Sequence, residues 1–371
     1  MILLREIQEH DIDALEHFAK IPGFINLPDD RDLLKEKILR SNDSFRSPNL
    51  KSSPKRAYSS SNTTPHGPSR TSDEQMDGKY LFVAEDLETH KILGTSMIAA
   101  QHGTLESPHF YFEVGNEEKR SDSINTGFIH GTLSLKYDTD GPSEIGGLVI
   151  DPQYRNAEAR LGRQISFVRF LFLGVNPQRF KKKIIAELLP PLNKKGQSPL
   201  WEAVGRRFTN MDYWEADQLC QKNKEFIFSL FPSEKIYTTL LTAEARNAIG
   251  RVGKDTEPVV HMLKKIGFRY MNQVDPFDGG PHFWANVDDL LPLKNIVYSN
   301  YDTHDVSPDE VGHVKAGLLC KKSQKPGEFR ALAVQALVRE GRIQVQHPEG
   351  KILRAVLNLH MNDELVFMPY Y

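Results

Sequence analysis

GGLVIDPQYRNAEARLGRQISFVRF, residues 146–170, decides the fold class. An apolar run ends at Asp151-Pro152. A basic loop follows, and residues 160–173 then place Leu161, Ile165, Val168 and Leu171 on one helical face. Strand, turn and helix in that order make one step of an α/β domain. The turn brings Arg155, Arg160, Gly162 and Arg163 to the start of the helix, where unpaired backbone N–H groups favour anions. Two readings follow: a pyrophosphate site, or a surface turn whose arginines are merely solvated.

Downstream, residues 183–189 read as a strand with one carboxylate, Glu187, inside the apolar run IIAELL. Helices follow over 200–208, 213–221 and 258–266, the last closed by Gly267. Upstream, residues 2–7 read as a strand, Asp11 as a helix N-cap, and residues 30–39 as a second helix. Residues 41–76 are dense in Ser, Pro, Thr and Asn and predict a disordered surface insert, or a phosphorylated or basic docking segment. Two apolar runs, 80–85 and 91–99, flank a polar turn and predict a hairpin, with further strands over 110–114 and 131–137. From residue 298 the pattern turns all-β, with strands expected over 314–321, 329–338, 342–346, 355–359 and 364–368: a small barrel or sheet appendage. The expectation is a mixed-sheet α/β protein in three parts, 1–130, 131–297 and 298–371.

Composition narrows the function. The chain has 371 residues, with 47 Lys and Arg against 49 Asp and Glu, so no global field draws it to nucleic acid. Cys220 and Cys320 are too few for a disulfide framework or a cysteine zinc site. No apolar run is long enough to span a bilayer, and the N-terminus lacks a secretory h-region. The expectation is a cytoplasmic globular protein.

Several blocks carry a more specific signal: LLREIQEHDIDAL (3–15), LFVAEDLETHKILG (81–94), GLVIDPQYR (147–155), SPLWEAVGRRF (198–208), MDYWEADQLC (211–220), EKIYTTLL (234–241), AIGRV (248–252), LKKIGFRY (263–270) and FDGGP (277–281). In this order they resemble the arginine N-succinyltransferase family, including its arginine/ornithine subunits, within the GNAT acyltransferase superfamily. The resemblance covers roughly residues 1–290. It implies a GNAT-like fold in two halves, succinyl-CoA as donor, the α-amine of arginine or ornithine as acceptor, no metal, and a homodimer or paired subunits. It also implies that Leu148 contacts succinyl-CoA beside Ile150, with Arg155, Arg160, Gly162 and Arg163 around the phosphates. Two departures stand out: the phosphate loop is poorer in glycine than the family's, and Gly253 occupies the position of the family's proton-donor histidine.

Among the remaining candidates, Glu187 reads as a general base whose pKa burial raises, or as a paired structural carboxylate. His261 reads as an acid–base group or a helix-surface histidine. Asp278 lies in a tight Asp-Gly-Gly-Pro turn, and its carboxylate is suited to capturing a guanidinium or amine. The function expected is N-succinyltransfer to arginine. The alternatives are a different amine acceptor, or a weak or inert relative that binds CoA or a partner subunit.

Overall fold

The computed structural model describes residues 1–21, 27–47, 51–52, 75–155, 160–193, 195–220, 223–304, 306, 313–346 and 349–371. β1 (Ile2–Glu6) precedes α1 (Ile12–Ala19) and α2 (Arg31–Arg46). Asp30 caps α2, its carboxylate accepting the N–H groups of Asp32 and Leu33. Asp11 does not cap α1 as expected. Its carboxylate accepts the Gln8 N–H and pairs with the buried Arg5. Residues 41–46, expected in the polar insert, extend α2 instead. The Ser41 and Ser44 hydroxyls accept backbone N–H groups from Leu81 and Lys79, while Phe45 packs on Tyr80 and Phe82. The two-residue strands β2 (Lys51–Ser52) and β3 (Gln75–Met76) pair with each other, and the rest of the expected insert lies outside the described residues.

The expected hairpin is β4 (Lys79–Asp86) with β5 (Ile92–Ala99). A long ribbon follows, β6 (His109–Ser121) and β7 (Thr126–Asp138), then β8 (Ser143–Ile150), α3 (Leu161–Val175) and β9 (Lys183–Glu187). A run of short elements comes next: α4 (Pro199–Ala203), α5 (Gly205–Thr209), α6 (Tyr213–Cys220), α7 (Glu225–Leu230), β10 (Ile236–Tyr237) and α8 (Ala243–Ala248). α9 (Glu257–Ile266) ends at Gly267, whose φ of 116° suits a residue without a Cβ. β11 (Arg269–Val274), β12 (Pro281–Asn286) and α10 (Leu291–Lys294) complete this region.

The all-β tail comprises β13 (Val297–Tyr301), β14 (Lys315–Lys321), β15 (Arg330–Arg339), β16 (Arg342–Val345) and β17 (Glu364–Pro369). These five strands run β15-β14-β17-β13-β16 and close back onto β15, so the expected barrel is present. Residues 355–359, expected as a strand, instead carry the end of α11 (Glu349–Leu357), whose Leu353 and Leu357 fill the barrel core. Apolar residues at 352, 353, 356 and 357 have helical spacing, which a short reading window mistakes for a strand. β1 joins the barrel to the rest by pairing with both β4 and β15, so every described strand except β2 and β3 belongs to one fifteen-stranded mixed sheet.

α3 packs on this sheet through a nearly continuous apolar surface that includes Ile165, Val168, Leu171 and Phe172. Its neighbours β8 and β9 run parallel, yet they pair only at Ser143↔Ile184 and Glu144↔Ile185. Beyond Glu144 the strands part. That gap positions the site.

Candidate active site

A cavity of about 1120 Å³ opens where β8 and β9 separate. Residues 146–150 line one wall and residues 186–189 the other. β8 bulges against β5: Thr95 pairs with Val149 and Met97 with Gly146, leaving Gly147 and Leu148 opposite Ser96. Gly147 makes the bulge possible with φ 57°, and a Cβ there would lie 3.2 Å from the Met97 Cβ. The backbone of Gly147 and Leu148 is thereby freed from the ladder at the cavity wall.

The start of α3 reaches the same cavity through Gly162 and Arg163, joined by Arg155 from the preceding turn. Arg163 lies over the Tyr370 ring, 5.4 Å from its centroid. Arg160, at the helix N-cap with φ 47°, is exposed and is not among the lining residues. One and a half turns further along α3 the cavity meets Arg169, which is 3% exposed. Its guanidinium donates to the Ser166 carbonyl, the Ser166 hydroxyl and the Gly146 carbonyl. No carboxylate pairs with it among the described residues, and burial pulls its pKa down to about 9. A buried cation without a counterion is costly. It is suited to an anionic ligand.

Glu187 ends β9 on the opposite wall, paired in register with His282 of β12. Three imidazoles surround one of its oxygens: His109 Nε2 at 3.0 Å, His102 Nε2 at 3.5 Å and His282 Nε2 at 3.7 Å from Oε1. His102 Nδ1 in turn lies 2.8 Å from a Glu144 oxygen. The sequence reading expected burial to raise the Glu187 pKa. Burial does push it up, but His102, His282 and His109 together hold it well below the ordinary carboxylate range. Burial likewise brings His282 down to about 4.

A third group of carboxylates lies in the turn 275–278. Asp275 accepts the N–H groups of Phe277 and Asp278, and Asp278 accepts that of Gly280. Burial first, then neighbouring carboxylates, pushes Asp275 up to about 7 and Asp278 well above its ordinary value. Asp217, Tyr213 and Lys224 complete this end of the cavity, and Phe277 stacks on Trp201 at 4.7 Å. Carboxylates whose ionisation is disfavoured in this way mark a pocket that a cation would stabilise.

Of the residues singled out in the sequence, Leu148, Ile150, Arg155, Gly162, Arg163, Glu187, His261 and Asp278 all line this cavity. His261 does so from the exposed face of α9. Gly253 sits just before the lining residues 254–256, with an ordinary φ of −65°, and a Cβ there would meet nothing nearer than the Pro190 carbonyl at 3.5 Å. Cys220 also lines the cavity, but burial raises its thiol to about 12, far from a reactive thiolate. His102, His109 and Arg169 were not anticipated. Arg169 had a signal, being the one charge inside the apolar run 167–175.

A family model described as "Arginine N-succinyltransferase beta subunit" matches residues 2–291. The arginine N-succinyltransferase of Yersinia pseudotuberculosis serotype O:3 is 35% identical over 296 residues, spanning 78% of this chain and 83% of that protein. That of Citrobacter koseri is 32% identical over 297 residues, spanning 79% and 78%. In fold, the chain resembles arginine/ornithine succinyltransferase subunit AI from Pseudomonas aeruginosa, with a TM-score of 0.77 and 24% identity, over 100% of this chain and 98% of that one. The chain belongs to the arginine N-succinyltransferase family.

Proposed function

We propose that this protein transfers the succinyl group of succinyl-CoA to the α-amine of arginine, or of ornithine. The observation that carries this reading is one cavity presenting an anion-seeking Arg169 near the bulged strand and cation-seeking carboxylates at its other end. The separation of β8 and β9 is the GNAT-like feature: the pantetheine arm lies along residues 146–150 and the pyrophosphate meets Arg155, Arg163 and the N–H groups that open α3. A main-chain N–H at Gly147 or Leu148 polarises the thioester oxygen and stabilises the oxyanion. Arg169 takes the distal succinyl carboxylate. Asp278, with Asp275 and Asp217, takes the acceptor's guanidinium. The neutral amine attacks the thioester carbon, the C–N bond forms with loss of the amine's second proton, and the C–S bond breaks, that proton leaving with the CoA thiolate as free CoA thiol. The proton shed by the ammonium passes to the groups around Glu187, with His261 as the second candidate at the cavity mouth.

Gly253 favours a second reading, a catalytically weak relative, because no side chain there can donate a proton. A free-thiol assay with succinyl-CoA across arginine, ornithine, lysine and other amines tests the proposal. CoA release dependent on arginine or ornithine is expected. Succinyl-CoA binding without release above hydrolysis, whichever amine is added, would leave only the inert reading.

We further propose that the protein forms a homodimer through the β6–β7 ribbon. Its tip pairs only with itself beyond the short contacts with β11 and β10, and it exposes Ile124, Phe128 and Ile129, with Leu240 on the adjoining turn. A two-stranded ribbon is marginal in water unless its apolar face is covered.

A further inference from the structure

We propose that His102, His109 and Glu187 form a binding site for one divalent transition-metal ion, zinc by its ligand chemistry, with Glu144 orienting His102. The inference goes beyond the succinyl transfer proposed above and does not depend on it, although the ion would sit in the same cavity. The ligand atoms of these three residues all lie within 4.8 Å of one another. His109 Nε2 and His102 Nε2 stand 3.0 and 3.5 Å from the same Glu187 oxygen. Zinc bonds of about 2.0–2.1 Å put neighbouring tetrahedral ligand atoms about 3.3–3.4 Å apart. The observed spacings bracket that edge.

Hydrogen bonding alone does not account for the cluster. His109 is 2% exposed, and its Nδ1 has no hydrogen-bond partner among the described residues. Its Nε2 lies 3.0 Å from Glu187 Oε1, a contact that a shared proton or a shared ion can hold. A lone pair on Nε2 directed at an ion bound by both groups fits that proximity. Orphaned buried nitrogens are rare. His282, fully buried, is orphaned at both nitrogens among the described residues, and stacks beside His109 with ring centroids 5.2 Å apart.

The surroundings have the form of a metal site. Glu144 lies 2.8 Å from His102 Nδ1, on the far side of the ring from Glu187, the carboxylate–histidine–metal arrangement that fixes ring orientation and ligand basicity. Two imidazoles and one carboxylate leave a fourth position open, and both His102 and Glu187 face the cavity. Two half-buried carboxylates, Glu144 and Glu187, supply the charge that a dication would neutralise. Cysteine takes no part. An ion there would make Glu187 a ligand and would favour a neutral amine beside it by its own charge.

The test is metal binding by the full-length protein, stripped with chelator and then titrated with Zn²⁺ or Co²⁺. One ion per chain is expected, with a rise in melting temperature on Zn²⁺ addition and visible d–d absorption for Co²⁺. His109→Gln should abolish these responses, Glu144→Gln should weaken binding about 10- to 100-fold, and His261→Ala should leave it unchanged. Glu144→Gln keeps the side-chain size and serves as the decisive arm if a ligand variant does not fold. Absence of stoichiometric binding in wild type, or binding unaltered in both His109→Gln and Glu144→Gln, overturns the proposal. Succinyl transfer by a protein that binds no ion defeats this site and leaves the proposed function standing; ion binding without succinyl transfer does the reverse.

Discussion

In the proposed transfer, donor choice turns on Arg169. It is a charge inside an otherwise apolar helix, hydrogen-bonded only to Ser166 and to the Gly146 carbonyl among the described residues. A charge-assisted hydrogen bond contributes about 1.5–3 kcal/mol. Arg169→Met should therefore lower kcat/KM for succinyl-CoA relative to acetyl-CoA by roughly 10- to 150-fold, while removing an uncompensated buried charge from the free protein. An unchanged ratio of the two substrates would show that the succinyl carboxylate lies elsewhere. At the other end of the cavity, Asp278 is held above its ordinary pKa by burial and by Asp275. Its ionised form, the one that pairs with a guanidinium, grows as pH rises, so arginine affinity should increase with pH, and Asp278→Asn should flatten that profile in calorimetric titrations. Gly253 is a separate case. The backbone there is ordinary and the space beside it is open to a Cβ. Acid–base groups contribute about 10²–10⁴-fold, so Gly253→His should raise kcat, by up to about 10²-fold; a fall with the fold intact would mean that the site has been rebuilt around glycine.

At the scale of elements, the parting of β8 and β9 does the positioning. The bulge at Gly147 and Leu148 frees one wall, and the opening of α3 brings Gly162 and Arg163 to the cavity. Arg155 and Arg163 reach the cavity whereas Arg160 does not line it, so replacing the first two by alanine should weaken CoA binding roughly 10- to 100-fold, about 1.4–2.8 kcal/mol, with Arg160→Ala nearly silent. Equal calorimetric affinity in all three variants would remove the phosphates from this turn. Much of this was legible in the sequence. Residues 146–170 announce strand, turn and helix by a change of apolar period, and Gly267 marks a helix end. The histidine cluster was not legible, because His102, His109 and His282 come from a turn, the start of β6 and the start of β12, and only sheet register brings them round Glu187. For the same reason the Glu187 pKa was expected in the wrong direction: burial is readable from an apolar run, but the imidazoles facing it are not. The strand expected over 355–359 failed on period, and Asp11 failed because Arg5, six residues earlier, claims its carboxylate.

Apart from the β2–β3 pair, the described strands lie in one sheet in which β1 bridges the acyltransferase-like region and a closed barrel. The family match ends at residue 291, but the fold of the Pseudomonas aeruginosa subunit is shared along the full chain, barrel included. What projects from this body is the ribbon tip with Ile124, Phe128 and Ile129 exposed. Ile129→Asp should halve the mass found by sedimentation without lowering the melting temperature of the protomer, whereas a wild type that sediments as a monomer would leave the ribbon unpartnered. The most direct measurement on the molecule is mass spectrometry of the products formed from succinyl-CoA and arginine by the wild-type protein. An arginine derivative heavier by one succinyl group, carried on the α-nitrogen, with equimolar free CoA, is expected; recovery of unmodified arginine beside intact succinyl-CoA, under conditions where both bind, would contradict the proposed transfer.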